Sequence, residues 1–526
     1  RGSAVQQLMM ADNKNGEYEK KTEKVNMNDV TQSALGNFGP WQLAICLWLS
    51  FGKLPIAWNQ LGIVFIAAPT SFHCVGSSEK CFNNASEPCT RWEYDHSVFQ
   101  STIITEWDLV CDRSQLVNVT QMITMIGILV GNILFSMAAD KFGRKLPLVI
   151  AGMMQMLMGI ISAFCPWFIA FLVARFLQSV AVGGCMTISF VLCMEILGGR
   201  ARAIIASLTH IPFNIGHLTM VGIAYFTRDF RYFLIATSIP AVLMLFYWWL
   251  IPESPRWLLA VGKNEKAIKV LQKAAIRNQN KIPESITLSN KEKQELKENK
   301  ENANITDLFR KPNIRKKTLI SCLNWTSCGF CFYGLALFVG KIGGNIFINV
   351  AVSGSLVIPG MIVAIVIMDK WGRKAALISG QLIAGLSCIA ILFFPRISDS
   401  ANIQTVVFAS VGIFGMGVAF STIYLYSGEL FPTVVRNVGV GAGSMCARVG
   451  SMIAPFVASL GSLSPLVFGV VPLLSAITAW VYLPETLNCE LPQTIEESEI
   501  FGKKKETTKQ NDNGVPNFGF QNDMVF

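Results

Sequence analysis

Three basic residues, Lys53, Arg175 and Arg448, lie inside long apolar runs. In a bilayer each costs several kcal/mol by most estimates, unless it faces water or a partner. An arginine fork binds a carboxylate through two parallel hydrogen bonds, and no acidic residue lies in the apolar stretches around Arg448 to satisfy it from within. Its chemistry is therefore that of an anion holder. Arg175 lies in ARFLQSVAVGG, and Lys53, near the proline of GKLPIAW, either snorkels or lines a cavity. His210 and His217, seven residues apart, share a helix face and have the chemistry of proton exchange, with polar packing as the blander alternative. No GxSxG, HExxH or P-loop pattern is present. Enzyme activity and ATP-driven pumping by this chain are thus without residue support.

A second chemistry is duplicated. Residues 138–145 read AADKFGRK and residues 367–374 read IMDKWGRK, each directly after an apolar run. Gly143 and Gly372 allow a tight turn, while Asp140 and Asp369 can accept charge-assisted bonds from a basic partner or a helix end. With Arg144 and Arg373 they form candidate latches between helix ends. Glu195 with Arg200, and Glu429 with Arg436, make a further duplicated acidic and basic pair beside the first. Such matched positions in two halves are expected of an internally repeated transporter.

These residues need membrane elements to hold them. The chain has 526 residues, 52% hydrophobic and 15% charged, too apolar for an ordinary soluble protein of this size. Twelve stretches approach the roughly 20 residues a spanning helix needs: 41–67, 115–139, 146–165, 168–196, 203–226, 232–251, 318–340, 345–368, 375–395, 404–427, 437–460 and 464–483. Residues 252–317 carry sixteen Lys and Arg against eight Asp and Glu, and residues 68–114 carry three against seven. Basic flanks stay cytoplasmic, so the first loop is expected outside and both ends inside. The expected organisation is a cytoplasmic segment 1–40, a six-helix bundle 41–251 with an outer loop 68–114, a cytoplasmic helical linker 252–317, a second bundle 318–483 and a cytoplasmic tail 484–526. The first forty residues are polar without an apolar core, so no cleavable signal is expected and the first span inserts directly. The net charge of +10 follows from this bias and calls for no nucleic acid.

The outer loop holds Cys74, Cys81, Cys89 and Cys111 beside the sequon Asn84-Ala85-Ser86. Two disulfides are expected, with three pairings open, and Asn84 is the expected glycosylation site. Asn118, at the start of a span, and Asn304, on the inner side, are expected to be unmodified. The remaining cysteines lack metal-ligand spacing, and neither a metal nor a cofactor is expected.

The two octapeptides, PESPRWL at 252–258, LPET at 483–486, STIITEWDLVCDRS at 101–114 and YSGELFPTVVRNVGVG at 426–441 together resemble the organic cation, organic anion and carnitine transporters, solute carrier family 22 of the major facilitator superfamily. The outer loop carries four cysteines rather than the six common in the cation branch. The resemblance spans residues 35–487 and implies an all-α membrane protein of twelve helices in two bundles, rocking about a central cavity. It implies substrate contacts at Gln60, Phe332, Tyr333, Ser421 and Tyr424, and at Arg448, where many cation carriers are acidic and the anion and carnitine branches carry arginine. The expected partners are a small organic ion and the lipid bilayer, with no coupling ion specified. The expected activity is polyspecific or selective transport of organic anions or zwitterions, carnitine-like or amino-acid-like, across the plasma membrane. The alternatives are amine transport and a non-transporting receptor or sensor.

Overall fold

The computed structural model describes residues 35–501, apart from 37, 77–79, 83–87, 199–204, 206 and 207, 281–305, 395–402, 433 and 434, 490, 491 and 493. Asn84, Arg200, Asn304 and the polar stretch KEKQELKENKEN lie outside the described residues.

The described residues form twelve helical spans. The first, α1, is built of three consecutive pieces, Pro40–Phe51, Lys53–Leu61 and Ile63–Ile66, joined at Gly52 and Gly62. It is followed by α2 Gln115–Phe142, α3 Lys145–Ala163, α4 Phe168–Ile196 and α5 Ile211–Thr227. Span α6 begins as Phe230–Ser238, tightens into a 3-10 segment Ile239–Phe246 and ends as Tyr247–Leu250. The tightening starts at Pro240, which has no N–H to continue the α-helical ladder. The second half comprises α7 Pro312–Val339, α8 Ile346–Lys370, α9 Arg373–Ala390, α10 Ile403–Leu430, α11 Arg436–Ala458 and α12 Ser464–Tyr482. Ten of these twelve spans are, taken alone, long and apolar enough to cross a membrane. Large apolar side chains such as Ile169, Phe226 and Trp480 point away from the protein, as they do when the surrounding solvent is hydrocarbon.

Within the first bundle α4 packs on α2 and α3, α3 on α6, and α1 on α5; within the second, α7 packs on α11 and α12, and α10 on α8 and α9. Between the bundles the main contacts are α2 with α11 and α5 with α8. The small-residue run of α11 serves close packing inside its own bundle. A Cβ on Gly329 of α7 would sit 2.1 Å from the Ala447 carbonyl oxygen, so only glycine lets the two backbones approach this far.

The loop after α1 forms a short antiparallel hairpin of β1 (Phe72–Cys74) and β2 (Trp92–Tyr94), with Cys74 opposite Trp92. The hairpin brings Cys74 to Cys89, and Cys81 pairs with Cys111. The STIITEWDLVCDRS motif fastens this side. Thr102 caps the turn Ile103–Glu106, Trp107 packs on Phe168, Phe171 and Phe230, and Glu106 pairs with Arg231 at 2.5 Å. Tyr94 donates to Asp108 at 2.8 Å, and burial together with that carboxylate pushes its phenol pKa up.

On the opposite side, helix Asn264–Asn278 is tied to the start of α1 through Asn278, whose Oδ1 accepts from the Trp41 N–H at 3.0 Å. A tail helix, Ile495–Ile500, places Glu499 on the backbone N–H groups of Asn313 and Ile314. These are unsatisfied donors of the first turn of α7. Lys317 donates to the Ser498 and Phe501 carbonyls at 2.7 Å each.

Candidate functional site

Arg448 lies in the middle of α11, 2% exposed. Its Nη1 donates to the Tyr333 hydroxyl of α7 at 3.1 Å, and its Nη2 reaches the Met186 sulfur of α4, in the other bundle, at 3.2 Å. Its Nε has no hydrogen-bond partner, and no carboxylate pairs with it among the described residues. A buried guanidinium held by one phenol and one thioether retains unspent donor capacity. The fork is poised for a planar anion.

Aromatic rings wall this point. Phe332 packs edge-on to Tyr333 at 5.3 Å and against Phe420 at 5.8 Å, while Tyr424 meets Trp325 at 4.5 Å, His210 at 4.8 Å and Phe190 at 6.5 Å. The expected residues Phe332, Tyr333, Tyr424 and Arg448 therefore come together. Trp325, Phe420 and Met186 complete the wall and were not expected; the Phe420 and Tyr424 spacing of four on α10 was the available signal. Ser421 is buried, but its hydroxyl donates to the Gly417 carbonyl of its own helix at 2.8 Å. Gln60 is fully buried on α1 with both amide atoms unpartnered, and it makes no hydrogen bond to the Arg448 cluster. Its neighbour Asn59 instead accepts from Arg175, whose other amino group donates to Gln178 at 2.9 Å. Lys53 does not snorkel; buried, it donates to the Thr209 carbonyl at 2.8 Å.

The bundles meet on both sides of this cluster. Toward the disulfide side, Phe347 of α8 contacts Phe65, Phe99 and Tyr225, and Asn118 donates to Ser459 at 3.1 Å. Toward the octapeptide side, Tyr424 spans to Phe190 and His210. Arg448 is enclosed.

The two octapeptides form matched clasps. Gly143 and Gly372 turn at φ of +99° and +98°, where a side chain is strained. A Cβ on either would lie 2.3 Å from a glutamate oxygen, of Glu253 or Glu485. Glu253 accepts the backbone N–H groups of Arg144 and Lys145, and Glu485 those of Arg373 and Lys374. Each carboxylate thus caps the start of α3 or α9, where the helix dipole favours negative charge. PESPRWL and LPET supply these caps; their role was not anticipated.

The arginines then reach across. Arg144 pairs with Glu195 of α4 at 2.8 Å and with Asp140 at 3.0 Å, and Arg373 pairs with Glu429 of α10 at 3.1 Å. Burial opposes the Arg144 charge, but the Glu195 carboxylate hydrogen-bonded to it, helped by Asp140, outweighs burial and raises its pKa above the ordinary arginine value. Two expectations change. Asp369 forms no ion pair among the described residues, because Arg373 turns to Glu429 and the Met368 carbonyl. Glu429 pairs with Arg373 rather than with Arg436, whose Nε faces the Phe431 carbonyl at 3.4 Å. Glu195 pairs with Arg144, and its expected pairing with Arg200 lies outside the described residues.

Residues 45–497 match the family model described as "Sugar (and other) transporter". An organic cation transporter protein of Drosophila melanogaster is 33% identical over 89% of the chain and 94% of its own length. Solute carrier family 22 member 6-B of Xenopus laevis is 35% identical, covering 90% and 94%. Human solute carrier family 22 member 12 is 37% identical, covering 80% and 77%. Among solved structures, the inward-open xylose transporter XylE from E. coli aligns with a TM-score of 0.63 at 19% identity, over 87% of this chain and 99% of that one.

Proposed function

The chain belongs to the sugar and other transporter family, in its solute carrier family 22 branch of the major facilitator superfamily, and from that premise we propose that it carries small organic anions or zwitterions by alternating access. The supporting observation is Arg448, a buried fork with a free Nε and no carboxylate partner among the described residues. A substrate carboxylate supplies the missing acceptor, and the rings of Phe332, Tyr333, Phe420 and Tyr424 enclose its apolar body. In the same reading Gln60 and Ser421 line the path, and the clasps of Asp140, Arg144 and Glu195 and of Asp369, Arg373 and Glu429, together with Arg200 and Arg436, govern how helix ends part. The protein works in the plasma membrane with both ends cytoplasmic and the disulfide-bonded loop outside.

Amine transport is the second reading, favoured by the aromatic wall, since ring faces attract cations. Counterflow in proteoliposomes with labelled carboxylates, carnitine-like zwitterions and amines separates the two. Exchange of carboxylates or zwitterions supports the proposal, exchange of amines alone supports the second reading, and exchange of none favours a receptor.

A further inference from the structure

Helix α5 carries three polar side chains that the transport reading leaves unused: His210 at its N-cap, Asn214 and His217. Intervals of four and three put them on one face. That face looks across the boundary between the bundles. The His210 ring lies 4.8 Å from the ring of Tyr424 on α10, and Asn214 Nδ2 lies 3.0 Å from the Met361 sulfur on α8. A Cβ on Gly354 of α8 would sit 3.4 Å from His217 Nδ1. Each residue also keeps one buried polar atom without a hydrogen-bond partner: His210 Nε2, Asn214 Oδ1 and His217 Nδ1. Leaving such groups unpaired costs about 1 to 3 kcal/mol each. They become satisfied once the bundles part and water reaches them.

The charged and titratable groups around the face are few. From α1 comes Lys53, bound to the Thr209 carbonyl beside His210, with the Cys46 and Cys193 thiols, 3.3 Å apart, near it. From α10 comes Tyr424, within electrostatic reach of Arg448. Span α8 has no titratable side chain before Asp369 at its far end. The α10 carboxylate, Glu429, is taken by Arg373, and Arg231 of α6 by Glu106. Among the described residues, no carboxylate stands ready to accept an imidazolium.

We propose that this face of α5 is a proton-binding seam: His210 and His217 take up protons when the bundles part and, unless an anion is bound at Arg448, must be neutral for α5 to close on α8 and α10, which makes H⁺ the ion linked to substrate movement. An imidazolium sealed in next to Lys53, with no anion, is disfavoured, so a proton alone does not cross. A substrate anion on Arg448 offsets the positive charge that acts on Tyr424, whose ring lies against His210, so a protonated seam then closes. The linkage is reciprocal: bound anion favours the proton as much as the proton favours the anion. This deepens the transport reading and rests on it for the open and closed states.

The test needs protons only. Amide hydrogen exchange is followed by mass spectrometry on the full chain in nanodiscs, without substrate, at pH 8 and pH 5.5, and normalised for intrinsic exchange. An ordinary imidazole in water titrates near 6.5, so at pH 5.5 each histidine should shift the balance about ten-fold toward the parted state. Peptides from α5 and α8 should exchange faster by that factor or more, and His217→Gln and His210→Gln should each remove part of the response. Exchange independent of pH in the wild-type protein overturns the proposal. So does a response retained undiminished in both variants. Because no substrate is added, failure here leaves the Arg448 reading standing, and failure of Arg448 to bind anions leaves this result intact.

Discussion

At the scale of single residues, Tyr333 holds the Arg448 fork in the enclosed arrangement through its hydroxyl. Tyr333→Phe keeps the ring and removes that acceptor. A neutral hydrogen bond contributes about 0.5 to 1.5 kcal/mol, so carboxylate affinity should fall about two-fold to ten-fold in a competition assay, with amine affinity unchanged; an equal loss for both would assign Tyr333 to the wall alone. Arg448 and Tyr333 were legible in the sequence because a charge inside an apolar run is an anomaly, and family resemblance placed the tyrosine. Met186 was not legible, since a methionine in a span reads as packing and its contact with Arg448 joins residues 262 apart. Gln60 shows the opposite case, a residue expected at the site that sits buried on α1 without a bond to the cluster.

At the scale of elements, the clasps turn one helix start and two helix ends into one unit in each bundle. The side chain of Asp140 is 60% exposed, whereas that of Glu195 is 19% exposed and that of Arg144 10%. Glu195→Gln therefore leaves a buried cation short of its partner, a loss of about 3 kcal/mol, and Asp140→Asn removes an exposed contribution of under about 1 kcal/mol. Thermal unfolding should show a larger drop in Tm for Glu195→Gln, and equal drops would contradict this ranking. A second consequence concerns the caps. Glu253→Gln and Glu485→Gln keep a hydrogen-bond acceptor but lose the charge facing the helix dipole, an effect of about 0.3 to 1 kcal/mol, and matched small losses in Tm are expected from the two. The repeated Asp, Gly and Arg were readable as a duplicated turn because they are contiguous. The caps were not, because each lies more than a hundred residues from the turn it fastens, and nothing local in PES or LPET announces a distant helix start.

At the scale of the whole molecule, hydropathy and Lys and Arg placement outlined twelve spans and two halves, because a bilayer imposes length and flank composition on every crossing. The pairing of the outer cysteines was open on sequence, since three pairings were equally allowed; the β1 and β2 hairpin selects Cys74 with Cys89 and leaves Cys81 with Cys111. Non-reducing peptide mapping should recover those two links, and a Cys74 to Cys81 link would contradict the hairpin. The sequence also did not show that Arg448 would be enclosed by side chains of both bundles, because that depends on how α4 and α10 meet across the boundary. The most direct measurement is uptake into proteoliposomes of a labelled aromatic carboxylate and its carboxamide analogue, by wild-type protein, Arg448→Lys and Arg448→Ala at equal reconstituted amounts. Loss of a charge-assisted bond costs about 1.5 to 3 kcal/mol. Carboxylate uptake at low concentration should fall about ten-fold to over a hundred-fold in Arg448→Ala and less in Arg448→Lys, with carboxamide uptake little changed; equal loss for both compounds, or no loss for either, would contradict anion recognition by Arg448.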